Sequence, residues 1–99
     1  MSFVTTQPQT LAAAAADLWG IGSAVNAANA AGAAPTRGVV PAAADEVSAL
    51  TATLFVAHAQ WYQVVAAHAA AINDMYVATL SISAGSYAAT EAVNAAAAG

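Results

Sequence analysis

The sequence predicts an all-α protein in which two long helices fold back on each other as an antiparallel hairpin. Thirty-three of the 99 residues are alanine, the strongest helix former. Apolar residues recur at steps of three and four along two long segments, which is the period of one helix face. A short segment with glycine and proline separates them, and a short connection between helices favours antiparallel packing.

The first helix is predicted over residues 7–33. Thr6 and Gln9 fit a capping box, with Thr6 as the N-cap and Gln9 at the third helical position. Gly32 and Pro35 predict the end of the helix, because glycine favours a helix terminus and proline cannot donate to the hydrogen-bond ladder. One face carries an apolar stripe made of Leu11, Ala14, Leu18, Ile21, Val25 and Ala28.

The second helix is predicted over residues 41–80. Pro41 is expected in its first turn, followed by Asp45 and Glu46, whose charges complement the helix dipole. A helix that is apolar around most of its circumference is typical of burial on more than one side. Its main stripe consists of Val47, Leu50, Leu54, Ala57, Trp61, Val64, His68, Ala71 and Met75. Two further stripes repeat every seven residues: Ser48, Phe55, Tyr62, Ala69 and Tyr76, and Thr51, His58, Val65, Ile72 and Thr79.

The helical pattern breaks after Leu80, in a segment that contains Gly85. We therefore expect residues 81–99 to form a frayed tail, with at most a short helix that is only marginally stable alone. Tyr87 and Glu91 lie four residues apart in this tail, so on a helix they share one face.

The predicted hairpin is poor in large apolar residues. Leu, Ile, Val and Phe together make up 20 of the 99 residues, which is the level at which a chain struggles to form a core alone. Ordering the chain costs on the order of 1.5 kcal/mol per residue, and one seam made largely of alanine does not offset that cost. We therefore expect the hairpin to fold against another molecule, either a second copy or a different protein.

The charge composition argues against two classes of partner. The formal net charge is −4, and Arg37 is the only Lys or Arg residue, so no basic patch can form for nucleic acid or anionic lipid. Residues 47–73 lack formal charge, but they include polar side chains and are not flanked by basic residues. Both features disfavour a stable membrane span. The N-terminus has no basic segment and does not resemble a Sec signal peptide.

The sequence also offers little for catalysis. It contains no cysteine, and His58 and His68 are ten residues apart, roughly 15 Å along a helix, which is too far to share a metal ion. No nucleophile–base arrangement, phosphate-binding loop or nucleotide fingerprint is present. We predict a non-enzyme without a cofactor.

Four short segments have a distinctive order and spacing. They are Met1-Ser2-Phe3-Val4, Pro8 with the residue after it, Val39-Val40-Pro41-Ala42-Ala43-Ala44-Asp45, and Tyr87-Ala88-Ala89-Thr90-Glu91. Together they resemble the PE family of mycobacteria over essentially the whole chain. The last segment fits the family's secretion motif, a tyrosine followed four residues later by Asp or Glu. Gln9 stands where the family's Pro-Glu signature has glutamate; glutamine still suits a capping box but lacks the charge.

The resemblance implies a helix-turn-helix subunit that pairs with a PPE-family protein, each chain supplying two helices to a four-helix bundle. It implies export of the pair by a type VII (ESX) secretion system to the cell envelope, the cell surface or the medium. A secretion chaperone is then expected to bind through the PPE subunit, and Tyr87 and Glu91 to act as the secretion signal. The residues expected to bind the partner are Leu11, Leu18, Ile21, Val25, Val47, Leu50, Leu54, Trp61, Val64, Val65, Ile72 and Met75.

Two other interpretations of the unpartnered apolar surface stay open. The chain could self-assemble as a homodimeric helical bundle with a structural role in the cell envelope, which predicts a defined dimer without any partner. It could instead be a membrane-active helix, which predicts lipid-dependent helicity and vesicle leakage. The PPE interpretation predicts poor folding alone and rescue by co-expression.

Overall fold

The fold comes from a computed structural model that describes residues 5–99. Met1–Val4, the first segment of the family resemblance, lies outside the described residues. These residues form two α-helices, α1 over Pro8–Arg37 and α2 over Glu46–Ala98, joined by residues 38–45. No strand occurs within residues 5–99. The predicted all-α helical hairpin is confirmed.

The two helices pair within two compact units. The terminal unit contains the described residues up to Ile21 together with Ile72–Gly99, and the central unit is Gly22–Ala71. In each unit a segment of α1 packs against a segment of α2, and the two units are described separately below.

Side-chain contacts in the terminal unit establish the direction of pairing. The Thr6 hydroxyl donates a hydrogen bond to Glu91 Oε1 at 3.0 Å, and Asn73 Nδ2 lies 3.5 Å from the carbonyl oxygen of Leu18. Residues later in the N-terminal segment thus contact residues earlier in α2. The two segments run antiparallel.

The start of α1 differs from the prediction. The carbonyl of Gln7 accepts the first helical hydrogen bond, from the amide of Leu11 at 3.1 Å. Gln7 is therefore the N-cap, and Pro8 occupies the first helical position, where its missing amide hydrogen costs nothing. The capping box predicted from Thr6 and Gln9 is wrong, because Thr6 precedes the N-cap and its hydroxyl donates to a carboxylate of α2 instead.

The end of α1 also lies beyond the predicted position. The helix continues through Gly32 and Pro35 to Arg37, so the predicted end at residue 33 is wrong. Pro35 lacks an amide donor and its ring crowds the carbonyl four residues earlier, yet the helix continues for two more residues. Two side chains hydrogen-bond carbonyls of this turn: the Thr36 hydroxyl donates to Gly32 at 2.6 Å, and Arg37 Nε donates to Ala33 at 3.1 Å.

A side-chain cap determines where α2 begins. The amide of Ser48 donates to Asp45 Oδ1 at 2.8 Å, and the Ser48 hydroxyl donates to Asp45 Oδ2 at 2.9 Å. These hydrogen bonds, the backbone one first, lower the pKa of the Asp45 carboxyl below its usual value. The helix accordingly begins at Glu46, and the prediction that placed Pro41 in the first turn is wrong, since Pro41 lies in the connection.

The C-terminal part of α2 is helical rather than frayed. The helix does not end at Leu80 but continues to Ala98, through Gly85. Ala84 is buried within the terminal unit beside the start of α1, so packing supports α2 where its apolar sequence pattern weakens. The functional division of the chain after residue 80 stays a prediction.

The interior of the hairpin is made of small side chains. Within residues 5–99 the buried residues are all alanines: Ala15 and Ala84 in the terminal unit, Ala52 and Ala59 in the central unit. A methyl group buries little apolar surface, so each contributes far less than the roughly 1.5–3 kcal/mol of a buried leucine or phenylalanine. The packing between α1 and α2 is close but energetically weak.

Candidate partner-binding surface

In the central unit, large apolar side chains lie on the side of α2 that faces away from α1. Leu54 follows the buried Ala52 by two residues, and Trp61 follows the buried Ala59 by two. Two residues correspond to about 200° around a helix, so these side chains lie opposite the buried seam. Trp61 is 66% exposed. The predicted partner-binding residues that the central unit exposes are Val25, Val47, Leu50, Leu54, Trp61, Val64 and Val65.

The terminal unit exposes only some of its predicted partner-binding residues. Ile21, Ile72 and Met75 are exposed. Leu11 and Leu18 are half-buried, and they flank the buried Ala15 on α1 at helical spacing. These two leucines therefore contribute to the contact with α2 within the chain. A partner-binding role for the whole set stays a prediction.

An apolar groove of about 410 Å³ lies in the central unit. Asn29 lies on one wall of the groove and accepts two hydrogen bonds from α2. The Tyr62 hydroxyl donates to Asn29 Oδ1 at 2.8 Å, and Gln63 Nε2 donates to the Asn29 backbone carbonyl at 3.1 Å. The bond to Asn29 Oδ1 holds the Tyr62 ring at the groove while half of the residue stays exposed. The groove is lined by Ala28, Asn29, Gly32, Thr36, Val39, Phe55, His58, Ala59, Tyr62 and Gln63.

Phe55 connects this groove with two neighbouring depressions. It lines a cavity of about 390 Å³ together with Leu54 and His58. It also lines one of about 200 Å³ beside Val39 and Val47. The predicted residues Leu54 and Val47 are therefore continuous with the groove, and Phe55 is at the centre of the surface. We call these residues the aromatic surface: Val39, Val47, Leu54, Phe55, His58 and Tyr62.

The same unit has a second groove of different chemistry. It measures about 250 Å³ and is lined by three amide side chains, Asn26, Asn29 and Gln63, and otherwise by alanines of both helices. Ala67, on its wall, is exposed. The central unit thus has one side with large apolar side chains and one side with small and amide side chains.

Sequence reasoning missed Phe55, Tyr62 and Tyr76 as candidate interface residues. All three are at least half exposed in the structure. Their spacing of seven residues places them in one row of α2, but the partner-binding prediction uses the main stripe together with Val65 and Ile72 of the other row. Val39 was missed because it lies in the connection, where helical periodicity gives no signal.

Tyr87 and Glu91 lie on α2 in the terminal unit, and both are exposed. Because α2 is helical here, the two side chains share one face, as the spacing predicts. Glu91 is the residue that accepts the hydrogen bond from Thr6. One turn earlier, a groove of about 280 Å³ separates the start of α1 from α2; it is lined by Pro8, Gln9, Ala12, Ser81, Ala84, Gly85 and Ala88.

The described residues contain no group of three or more His, Cys, Asp or Glu side chains that could hold a metal ion. His58 and His68 are both exposed. Asp45 is occupied in capping α2, and Glu46 lies in the first turn. Over residues 5–99, neither helix contains a segment apolar enough to cross a membrane.

Comparison with known proteins decides the family. A family model described as the PE family matches residues 4–94. The chain belongs to the PE family. The PE family protein PE13 of Mycobacterium tuberculosis is similar to this PE chain, with 66% identity over 98 residues that cover 99% of each protein.

Longer PE relatives from the same species match over a smaller share of their length. PE8 is 57% identical over 98 residues, which cover 99% of this chain and 36% of PE8. The PE-PGRS family protein PE_PGRS33 is 57% identical over 96 residues, which cover 97% of this chain and 20% of that protein. In both relatives this PE chain corresponds to one part of a longer protein.

Proposed function

We propose that this PE chain is one subunit of an obligate heterodimer with a PPE-family protein, and that the pair is exported by a type VII (ESX) secretion system. The observation that carries the proposal is the distribution of apolar side chains. Alanines occupy the interior, while the large apolar residues of α2 are exposed. A surface of this kind is typical of a protein–protein interface rather than of a monomer.

The aromatic surface is the proposed centre of the interface with the PPE helices. Phe55 and Tyr62 are rigid aromatic side chains of the kind that dominate interface energetics. The adjacent Leu54 and Val47 extend the apolar area along α2. Because no Asp, Glu, Lys or Arg lies between Val47 and Asn73, we expect the facing partner helices to be apolar as well.

Leu54→Asp tests the pairing. We expect it to abolish recovery of the heterodimer after co-expression with the PPE partner, because burying an unpaired carboxylate is very costly. Ala67→Asp is the matched control: it places the same charge on the same helix, on the side with the amide-lined groove, and should leave pairing intact. An unchanged complex with Leu54→Asp would show that Leu54 faces water.

The chain expressed alone distinguishes the heterodimer from the other two interpretations. Circular dichroism and light scattering over a range of concentrations should show weak helicity or aggregation that a PPE partner corrects. A defined homodimer with a cooperative melt would favour the self-assembling bundle. Helicity that appears only with vesicles, accompanied by leakage, would favour the membrane-active helix.

Export is proposed to depend on Tyr87 and Glu91. Tyr87→Ala and Glu91→Ala should each block secretion from a mycobacterial host while the heterodimer still forms inside the cell. Normal secretion of both variants would refute the signal assignment and leave the pairing proposal untouched.

A further inference from the structure

The proposed secretion signal is in contact with the opposite end of the chain. The Thr6 hydroxyl donates a hydrogen bond to Glu91 Oε1 at 3.0 Å, across 85 residues of sequence. Thr6 precedes α1 and is half-buried, whereas Glu91 is an exposed residue of α2. Both belong to the terminal unit.

Packing around this contact brings the start of α1 against the same stretch of α2. Pro8 and Gln9, directly after the cap of α1, face Ala84 and Ala88 across the 280 Å³ groove. Ala84 is 5% exposed, so the base of this groove is closed by packing within the terminal unit. The Thr6–Glu91 hydrogen bond therefore adds a polar contact to a packed pair of segments.

We propose that Thr6 is a positioning residue for the export signal, which makes that signal a composite of both ends of the hairpin. The inference rests on the proposed function, because it assumes that Glu91 is recognised during export. Tyr87 and Glu91 supply the recognised groups, and Thr6 fixes the orientation of the Glu91 carboxylate.

The physical reason is preorganisation. An exposed glutamate samples several rotamers, and a receptor that binds it must offset the entropy of fixing one. A hydrogen bond from a hydroxyl to a carboxylate is charge-assisted and directional, so it restricts the carboxylate before the receptor arrives. It also ties the last turns of α2 to the start of α1, where an isolated helix end would fray.

The test compares Thr6→Val with Thr6→Ser in the full chain, co-expressed with its PPE partner. Valine keeps the shape of threonine but has no hydroxyl, whereas serine keeps the hydroxyl. We expect Thr6→Val to lower the secreted fraction by about fivefold, the change in an equilibrium that one net hydrogen bond supports. Thr6→Ser should secrete normally, and both variants should still co-purify with the partner.

Hydrogen–deuterium exchange of the purified heterodimer gives a readout independent of export. Thr6→Val should speed exchange of the backbone amides over residues 88–95 by about fivefold, and Thr6→Ser should not. Unchanged exchange in Thr6→Val would overturn the contact. Loss of partner binding in Thr6→Val would overturn a positioning role in favour of a structural one.

Glu91→Ala separates this inference from the function on which it rests. If Glu91→Ala blocks secretion while Thr6→Val secretes normally, the positioning role of Thr6 is refuted and the export signal stands. If Glu91→Ala itself secretes normally, the signal assignment fails, and the composite signal fails with it.

Discussion

Phe55→Ala measures how much the aromatic surface contributes to partner binding. Phe55 is 60% exposed and lines the apolar groove and both neighbouring depressions. An aromatic side chain buries about 200 Å² in total, so about 120 Å² of Phe55 remains for a partner to cover. At about 25 cal/mol per Å² this area is worth about 3 kcal/mol, or roughly a 100-fold increase in Kd when it is removed.

A competition experiment measures this change without requiring the PE chain to be soluble alone. Wild-type and variant chains are co-expressed with a limiting amount of PPE partner, and mass spectrometry gives their ratio in the purified complex. Gln60→Ala is the matched control, because Gln60 is an exposed polar residue of the same helix and should compete within about twofold of wild type. If Phe55→Ala lowers the ratio of variant to wild type in the complex by less than about threefold, Phe55 stays in water in the complex. That result would refute the aromatic surface as the centre of the interface.

Three further predictions address the fold. Ala59→Leu should destabilise the heterodimer by about 1–3 kcal/mol in thermal unfolding, because the buried seam has little room for extra carbons, whereas Ala67→Leu, an exposed position on the side of α2 with the amide-lined groove, should be nearly neutral. Because folding lowers the pKa of the Asp45 carboxyl, its cap stabilises α2 fully above the pKa that this carboxyl has in the unfolded chain, and the effect is lost as pH falls through its pKa in the folded chain. An acid titration followed by far-ultraviolet circular dichroism should therefore show a loss of helicity at low pH, and Asp45→Asn should reduce that loss. Pro35→Ala restores a backbone donor in the last turn of α1 and should slow amide exchange there; unchanged exchange would mean that the turn gains nothing from the donor.

The helix content was predictable from the sequence, but the helix ends were not. Alanine content and spacing predict two helices, which the structure has. The end of α1 was misplaced because propensity treats Pro35 as a terminator, whereas the Thr36 and Arg37 side chains satisfy carbonyls of the last turn. The end of α2 was misplaced because the burial of Ala84 beside the start of α1 does not appear in a local sequence pattern.

The buried seam was also difficult to predict, for a different reason. Large apolar residues normally mark the interior, and the main stripe of α2 carries them. In this hairpin the smallest apolar residues are inside, so Ala52 and Ala59 gave no stronger signal than the exposed Ala57 or Ala67. The contact between Thr6 and Glu91 joins residues too far apart in sequence for any periodicity to reveal.

The alanine seam separates the residues that shape the hairpin from those available to choose a partner. A methyl-lined contact tolerates little change, because any larger side chain pushes the helices apart. The exposed rows of α2 have no such constraint from within the chain. Substitutions at the exposed Phe55 or Leu54 change the surface that the hairpin presents while the spacing of α1 and α2 stays the same. The hairpin can therefore keep its interior fixed while its outward-facing side chains change.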